Sequence, residues 1–385
     1  MSRTYTAAIV GCGSISHAHA EGYTLADRVN LTAVVDPVET ARRQFMSTYD
    51  VPYGFDSIEQ MAEQMNPDLM SICTWHPLHA KLTEAAAALS PKGIICEKPM
   101  AVSMAEAERM ISACDAAGTR LVVGHQRRFS AGWEKGRELM TEGAVGSPVR
   151  VDCNSSDGLL NCGTHVIDGS RYVLGDPSAE WVMGALERVS NRFERGTPIE
   201  DACMGLIQME GGEQVFVQSD LKKEGRRAGG FFVVGSEGMM DVSENQVKLF
   251  NSSSSGWRDL DLGPDAAARP AIGGETNARQ VRELVAWIEG GSVHRGAAAK
   301  ARDTMEIMMA MYESARCNRV VHLPLKVMDY PLERMLADGM LTAESEPYDI
   351  RGFLKWDAVK EQDYARLKAV GKTHGDIMRE LNAET

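Results

Sequence analysis

Near the start of the chain, Ala7-Ala8-Ile9-Val10-Gly11-Cys12-Gly13-Ser14-Ile15-Ser16 joins a short apolar strand to a helical pattern through two closely spaced glycines. Glycines at this place allow a tight turn and let backbone amides approach a pyrophosphate, to which the helix N-terminus adds partial positive charge. Ser16 stands where a third glycine often lies and is small enough for the helix to pack closely on the strand. An ordinary strand–turn–helix shares this motif, so the motif needs support from its context.

The second apolar run supplies that context. It covers residues 31–35 and is followed by Asp36, where a carboxylate would hold the ribose hydroxyls of a dinucleotide. The same charge would repel a 2′-phosphate, so NAD is predicted in preference to NADP, although Arg42 and Arg43 one turn later soften that preference. We therefore predict a dinucleotide site that includes Gly11, Gly13, Ser14, Ile15 and Asp36.

Apolar runs alternate with amphipathic stretches through the first 125 residues. The runs lie at 7–10, 31–35, 69–73, 94–96 and 121–123, and helical patterns at 57–65, 79–89 and 103–117. Alternation of this kind builds a parallel sheet with helices on both faces. Ser103 and Glu106 form a capping-box pattern that marks a helix start. The sequence thus predicts an α/β fold with a doubly wound Rossmann domain over residues 1–125.

The pattern changes from about residue 149. Strand-like runs joined by glycine-rich turns predict a second α/β domain over residues 126–329, with an open, largely antiparallel sheet and helices on one face. Residues 330–385 are polar and partly helical but contain Tyr348, Phe353 and Trp356. We expect this extension to dock on the body of the protein or on a neighbouring subunit.

Composition excludes several classes of function. The net charge of −13 disfavours a nucleic-acid partner, and the short basic segment 222–227 is predicted to be a solvated hairpin or loop. Eight cysteines without a Cys-x-x-Cys pair predict buried free thiols in a reducing compartment and no metal site. No apolar stretch is long enough to cross a bilayer, so we expect a cytoplasmic protein without a membrane partner.

The run at 94–96 is followed by Glu97-Lys98-Pro99. Ligands of open parallel sheets bind outside the carboxyl ends of the strands, which puts these charges at the crevice. An ammonium there could stabilise a developing alkoxide or donate to a carbonyl oxygen. Taken alone, the motif fits a surface Glu–Lys pair at a strand end better than it fits a catalytic role.

Several motifs in order resemble the Gfo/Idh/MocA oxidoreductase family over about residues 5–325. They are Gly11-Cys12-Gly13-Ser14-Ile15, Asp36, the turn Thr74…His79, Glu97-Lys98-Pro99, Val123-Gly124-His125-Gln126-Arg127-Arg128-Phe129, Gly163-Thr164-His165-Val166-Ile167-Asp168 and Gly235-Ser236-Glu237-Gly238. The resemblance implies nicotinamide-dependent redox chemistry on sugars, cyclitols and related polyols. It also implies a second-domain sheet that often mediates oligomerisation, so a homo-oligomer, dimer or tetramer, is expected.

The resemblance further implies roles for individual residues. Glu97 and Lys98 would lie near the nicotinamide, and Arg127 would belong to the floor where substrate and nicotinamide meet. The cofactor residues implied beyond the glycine turn and Asp36 are Thr74, His76, His79, Glu97, Lys98 and Gln126.

The segment 159–168 resembles the start of the family's catalytic helix, which commonly reads Asp-x-x-x-His. A neutral imidazole at His165 could accept a hydroxyl proton while hydride leaves the same carbon. This chain has Asn161 in place of the aspartate. An amide can orient a hydroxyl but cannot raise the pKa of the histidine, so more of the chemistry falls to Lys98.

We therefore predict an NAD-dependent dehydrogenase that moves a hydride between nicotinamide and a secondary alcohol or ketone of a sugar, sugar derivative or cyclitol such as inositol. Lys98 and His165 are the predicted catalytic residues, and Asn161, Arg127 and Asp157 the predicted substrate contacts. Asp157 fits an exposed loop carboxylate equally well. Two alternatives stay open: an NAD-using glycoside hydrolase of the same family, and a non-catalytic NAD-sensing regulator that binds protein partners.

Overall fold

The computed structural model describes residues 3–221, 230–357 and 359–382. The basic segment 222–227, predicted to be a solvated hairpin or loop, lies outside these residues.

The first part of the chain forms one parallel sheet. Its strands are β1 (Tyr5–Val10), β2 (Val29–Val35), β3 (Tyr53–Phe55), β4 (Leu69–Ile72), β5 (Gly93–Cys96) and β6 (Arg120–Val123). The helices between them are α1 (Ser14–Leu25), α2 (Glu39–Tyr49), α3 (Ile58–Ala62), α4 (His79–Ala87) and α5 (Met104–Ala117). The strand order β3-β2-β1-β4-β5-β6 is that of the Rossmann fold, and it confirms the predicted doubly wound sheet.

Helix α5 begins where the capping pattern predicts. The Ser103 hydroxyl accepts a hydrogen bond from the Glu106 amide at 3.3 Å. The Glu106 carboxylate accepts from the Val102 amide at 3.1 Å, one residue before the cap. The helix ends at Gly118, whose φ of +69° suits glycine. Side chains on both sides of the cap thus satisfy amides that the first turn leaves free.

The second part of the chain supplies the remaining strands. They are β7 (Pro148–Ser155), β8 (Ala179–Glu187), β9 (Arg192–Glu194), β10 (Thr197–Pro198), β11 (Ala202–Met209), β12 (Gln214–Ser219), β13 (Phe231–Gly235), β14 (Gly238–Ser243), β15 (Gln246–Asn251), β16 (Arg258–Asp259), β17 (Val321–His322) and β18 (Tyr348–Asp349). Nine form a sheet in the order β16-β15-β14-β13-β7-β12-β11-β8-β17. In the described residues β7 and β12 are parallel and the other neighbours antiparallel, which confirms an open, largely antiparallel sheet.

Helices of the second part pack on the nine-stranded sheet or on the parallel sheet of the first part. They are α6 (Ala131–Thr141), α7 (Thr164–Leu174), α8 (Gly274–Ile288), α9 (Ala298–Cys317), α10 (Pro331–Ala337), α11 (Glu361–Ala369) and α12 (His374–Asn382). Helices α6, α7 and α9 pack on the nine-stranded sheet. Trp133, Ile167 and Met309 share its core with Val151 of β7.

Helix α8 packs on the Rossmann sheet although it lies far along the chain. Its Val281 and Leu284 are buried in one cluster with Ile9, Ile95 and Val122 of the first sheet. Helix α11 likewise contacts α2. Apolar clusters contain residues from both sides of position 125 and of position 329. The division of the chain into domains at these positions stays a prediction.

Two general features complete the description. All eight cysteines are free, and six of them are buried. Among the described residues no helix has the length and apolar character that crossing a bilayer requires.

Candidate functional site

The glycine turn leaves open space above the end of β1. Gly11 has a φ of +95°, and a Cβ there would lie 2.8 Å from the carbonyl oxygen of Cys73. A Cβ on Gly13 would meet no atom within 4 Å, so the backbone there faces open space. The Asp36 carboxylate accepts hydrogen bonds from the amides of Cys12 and Val38, both at 2.8 Å. It thereby ties the turn to the end of β2.

A cavity of about 560 Å³ lies over this turn. It is lined by all five residues that the sequence predicts for the dinucleotide turn and ribose, together with Thr74: Gly11, Gly13, Ser14, Ile15, Asp36 and Thr74. The buried Thr74 hydroxyl has no hydrogen-bond partner among the described residues. Open backbone, a carboxylate beyond it and an unpartnered hydroxyl fit a dinucleotide whose pyrophosphate lies at the N-terminus of α1.

Glu97, directly after β5, is buried in a polar network. Its Oε1 lies 2.8 Å from Nε2 of His19, and its Oε2 accepts from the Lys98 amide at 3.2 Å. Burial opposes ionisation of this carboxyl, but the bond from His19 and the neighbouring positive charges outweigh it and lower the pKa of Glu97. His19, on α1, also contacts the Ser71 hydroxyl at 3.0 Å. Glu97 therefore fixes the backbone that carries Lys98.

The side chain of Lys98 crosses from the first part of the chain to the second. Its Nζ donates to the backbone oxygen of Asn161 at 3.0 Å and to the side-chain oxygen at 2.9 Å. Asn161 lies on a single π-helical turn, Leu159–Gly163, that leads into α7. Burial lowers the pKa of the Lys98 ammonium. A loop after β5 and a turn before α7 thus meet through one amine.

His165 lies one turn after Asn161, on α7. It is buried, and its Nδ1 has no hydrogen-bond partner in the described part of the chain. Burial, and then the charges of Arg127 and Lys98, lower the pKa of His165 well below 6.5. The imidazole is therefore neutral at pH 7. Gln126 contributes a second buried atom without a partner, its Oε1.

A buried ion-pair network supports this part of α7. Arg128 donates to the Asp168 carboxylate through two bonds of 2.7 Å, and Nδ1 of His125 lies 3.0 Å from the same carboxylate. Asp176 also pairs with Arg128 at 2.8 Å. Burial opposes ionisation of Asp168, but Arg128 and His125 outweigh it and lower the pKa of the carboxyl. Asp168 thus packs α7 against residues 125–128.

The sequence did not predict three functional candidates: Glu194, Arg195 and Thr197. Two of them flank the ring of His76. The Thr197 hydroxyl is 2.8 Å from its Nε2, and Oε2 of Glu194 is 3.3 Å from its Nδ1. Glu194 has no exposed surface, and burial raises the pKa of its carboxyl. Arg195 lines the cavity. The small sheet β10-β9-β18 holds these residues, and no local pattern announces it.

The other predicted residues, Lys98 and His165 among them, do not line the cavity, and three of them contact protein groups. Both ring nitrogens of His79 face backbone oxygens, those of Pro99 at 2.8 Å and Thr74 at 3.1 Å. Arg127 donates to Glu244 at 2.8 Å. Asp157, whose side chain is 46% exposed, pairs with Arg351 at 3.1 Å. The structure brings Lys98, Asn161 and His165 together, whereas Arg127 and Asp157 each already hold a charged partner.

Residues 5–125 match the Gfo/Idh/MocA family, described as an oxidoreductase family with an NAD-binding Rossmann fold. The chain is 24% identical over 348 residues to D-apiose dehydrogenase of Paraburkholderia graminis, an alignment covering 83% of this chain and 90% of that one. It is 27% identical over 212 residues to myo-inositol 2-dehydrogenase of Thermotoga maritima, covering 51% of this chain and 63%, less than two thirds, of that enzyme.

Solved structures share the fold. Levoglucosan dehydrogenase in complex with NADH matches with a TM-score of 0.74 at 21% identity, covering 84% of this chain and 100% of that one. The WlbA dehydrogenase of Bordetella pertussis in complex with NADH and UDP-GlcNAcA matches with a TM-score of 0.72 at 21% identity, covering 85% and 99%. Both of those structures contain NADH.

Proposed function

We propose that this chain is a member of the Gfo/Idh/MocA family of NAD-binding oxidoreductases, whose model residues 5–125 match, and that it transfers a hydride between nicotinamide and a carbon bearing a hydroxyl or keto group. The substrate is a sugar, a sugar derivative or a cyclitol. NAD is the cofactor, since Asp36 lies where a 2′-phosphate of NADP would meet a carboxylate.

The contact between Lys98 and Asn161 carries the proposal. It joins a residue at the carboxyl end of β5 to the turn before α7, and the neighbouring strand β4 leads into Cys73 and Thr74, which line the cavity. Ligands of an open parallel sheet bind at this edge. A cofactor-sensing regulator would not need a buried amine and a neutral imidazole at that point.

Lys98 and His165 divide the work at the reacting oxygen. A bound nicotinamide supplies the hydride acceptor in oxidation and the donor in reduction. In oxidation, the neutral His165 accepts the hydroxyl proton while hydride leaves the same carbon. The Lys98 ammonium donates to the oxygen as negative charge develops on it. The alcohol thus loses a proton and a hydride and becomes a ketone, and in reduction both steps reverse.

Substrate hydroxyls need groups that donate and accept. The side-chain oxygen of Asn161 accepts from the Lys98 amine, and its amide N–H can donate to a substrate hydroxyl. Arg127 and Asp157 serve as further contacts if a substrate displaces Glu244 or Arg351. The names of the relatives, D-apiose dehydrogenase and myo-inositol 2-dehydrogenase, support small polyhydroxylated rings as the substrate class.

A substrate panel tests this function. Sugars, sugar acids and inositols are each incubated with NAD or NADP, and the absorbance of the reduced cofactor is followed. Sustained formation of NADH with a free sugar or inositol supports the dehydrogenase. Hydrolysis of glycosides without net NADH indicates the glycoside hydrolase, and nucleotide binding without turnover of any compound indicates the regulator.

A variant then tests the role of the amine. Lys98→Ala is expected to lower kcat by at least about 10²-fold, because it removes a donor to the developing charge, while NAD affinity stays nearly unchanged. Lys326→Ala, at an exposed position, is the matched control and keeps full activity. Loss of NAD binding together with turnover in Lys98→Ala would contradict this division of roles.

We also propose a homo-oligomer built on the nine-stranded sheet. Exposed apolar side chains on its strands, including Val149, Met183 and Met204, support this assembly. Light scattering at several protein concentrations tests it, and a monomer at all concentrations would refute it.

A further inference from the structure

The C-terminal segment after residue 347 runs along the Rossmann half of the same chain. Strand β18 pairs in parallel with β9, and a 3-10 turn, Gly352–Leu354, follows it. Helices α11 and α12 then build a small core of their own from Val359, Tyr364, Leu367, Ile377 and Met378. The segment therefore has defined packing and is not a loose tail.

Aromatic side chains join this segment to the glycine turn. The His374 ring lies 5.4 Å from that of His17, which is on α1 three residues after Ser14. Trp356 lies 5.6 Å from His374 and 5.1 Å from Tyr364. The Tyr364 hydroxyl is 2.7 Å from Nδ1 of His374, so the three rings hold one another in place.

The same segment lines the dinucleotide cavity. Its contributions are Leu354, Lys355, Trp356, Asp357 and His374. The lining also includes Asp36 and Val38, which follow β2, and Ile58 at the start of α3. A carboxylate at the end of β2 binds the ribose of the adenosine half. The C-terminal segment therefore lines the same cavity as the residues that would bind the adenosine half.

The segment is also anchored on residues 157, 195 and 196 of the second part of the chain. The Asp349 carboxylate accepts from the amides of Arg195 at 3.1 Å and Gly196 at 2.8 Å. Arg351 pairs with Asp157 at 3.1 Å. Arg195 lines the cavity too. The C-terminal segment therefore lines the cavity with its own residues and also positions Arg195.

We propose that residues 354–357 and His374 form part of the dinucleotide site and bind the adenosine of NAD, with Trp356 as the principal contact. The proposal rests on the proposed function, which supplies the cofactor. Adenine has an aromatic face that suits an indole, and the ribose suits the polar side chains beside it. A bound dinucleotide is then enclosed between the Rossmann sheet and the C-terminal segment. Its release requires residues 354–357 to withdraw.

Dissociation of NADH measures this contact without any turnover. Protein saturated with NADH is mixed with excess NAD, and the decay of NADH fluorescence gives the dissociation rate. Trp356→Ala is expected to dissociate NADH about 5- to 150-fold faster, the range that loss of one base–aromatic contact produces. Trp356→Phe keeps an aromatic ring and stays within a few-fold of the wild type. Trp257→Ala removes an exposed tryptophan outside the cavity and leaves the rate unchanged.

A second measurement uses the unaltered chain, so it does not depend on whether a variant folds. Saturating NADH is expected to slow amide hydrogen exchange of peptides covering residues 352–357 and to leave peptides around Trp257 unchanged. A wild-type dissociation rate in Trp356→Ala, or exchange at 352–357 that NADH does not slow, would overturn the proposal. A wild-type protein that binds neither NAD nor NADH would overturn the proposed function first, and this proposal with it.

Discussion

Replacing Asp168 by asparagine tests the support of α7 in isolation from the chemistry. The carboxylate is fully buried and accepts two hydrogen bonds of 2.7 Å from Arg128, itself fully buried. Removing one charge of a buried pair typically costs about 3–5 kcal/mol. Asparagine retains one acceptor oxygen, and Asp176 still neutralises Arg128 at 2.8 Å, so we expect a loss near the lower end, about 3 kcal/mol.

The pH dependence follows from the direction of the pKa shift. The folded protein lowers the pKa of Asp168, mainly through Arg128, below the value of about 3.9 for an unfolded aspartate. Its contribution to the free energy of unfolding is therefore fully present above about pH 4. It is lost as the pH falls through the lower, folded pKa. A comparison at pH 7 measures the whole effect.

Urea unfolding at pH 7, followed by tryptophan fluorescence, supplies the assay. Trp133, one of six tryptophans, is fully buried and lies against Gly169 of α7, so unfolding that exposes this helix changes the emission. Glu39→Gln is the matched control, because it removes a carboxylate whose partner Arg43 is 66% exposed, and such pairs contribute less than about 1 kcal/mol. If Asp168→Asn costs no more than Glu39→Gln, the assignment of a supporting role to this network is wrong.

Three further predictions concern the site itself. Gly11→Ala places a Cβ at a φ of +95° and 2.8 Å from a backbone carbonyl oxygen, so the variant should lose about 1–3 kcal/mol of stability in an unfolding experiment. Its affinity for NADH, measured by fluorescence titration, should fall at least about tenfold, and wild-type affinity would contradict this. Because burial lowers the pKa of His165, the acid limb of kcat/KM for alcohol oxidation should lie well below pH 6.5, and a limb at or above 6.5 would exclude His165 as the base. Asn161→Asp puts a carboxylate about 2.9 Å from the Lys98 amine, which favours the charged form of Lys98. The alkaline limb of the pH profile of kcat/KM should therefore move up by roughly 1–3 pH units. An unmoved limb would show that the ionisation of Lys98 does not determine that limb.

Local patterns were enough to predict the Rossmann half. The turn from Gly11 to Ser16 and the carboxylate at Asp36 belong to a single strand–turn–helix–strand unit, so their spacing in the sequence fixes their spacing in space. The same holds for the start of α5, where Ser103 and Glu106 act within one helical turn.

Long-range pairing limited prediction of the rest. Glu194 and Arg195 reach the site because β9 pairs with β10 and with β18, a strand more than 150 residues later. The aromatics Phe353 and Trp356 indicated that the C-terminal segment packs on something, but the period of a helix tells which face is buried and not what covers it. The contact of Lys98 with Asn161 could be anticipated only through the family resemblance, since 63 residues separate them.

The return of α8 to the first sheet limits how the chain can be divided for engineering. A fragment ending at residue 125 would leave bare the patch around Ile9, Ile95 and Val122 that Val281 and Leu284 cover in the whole protein. Uncovered apolar area of this kind promotes aggregation. A cofactor module grafted from this protein onto another catalytic half would therefore have to bring α8 with it, or acquire a substitute helix from its new host.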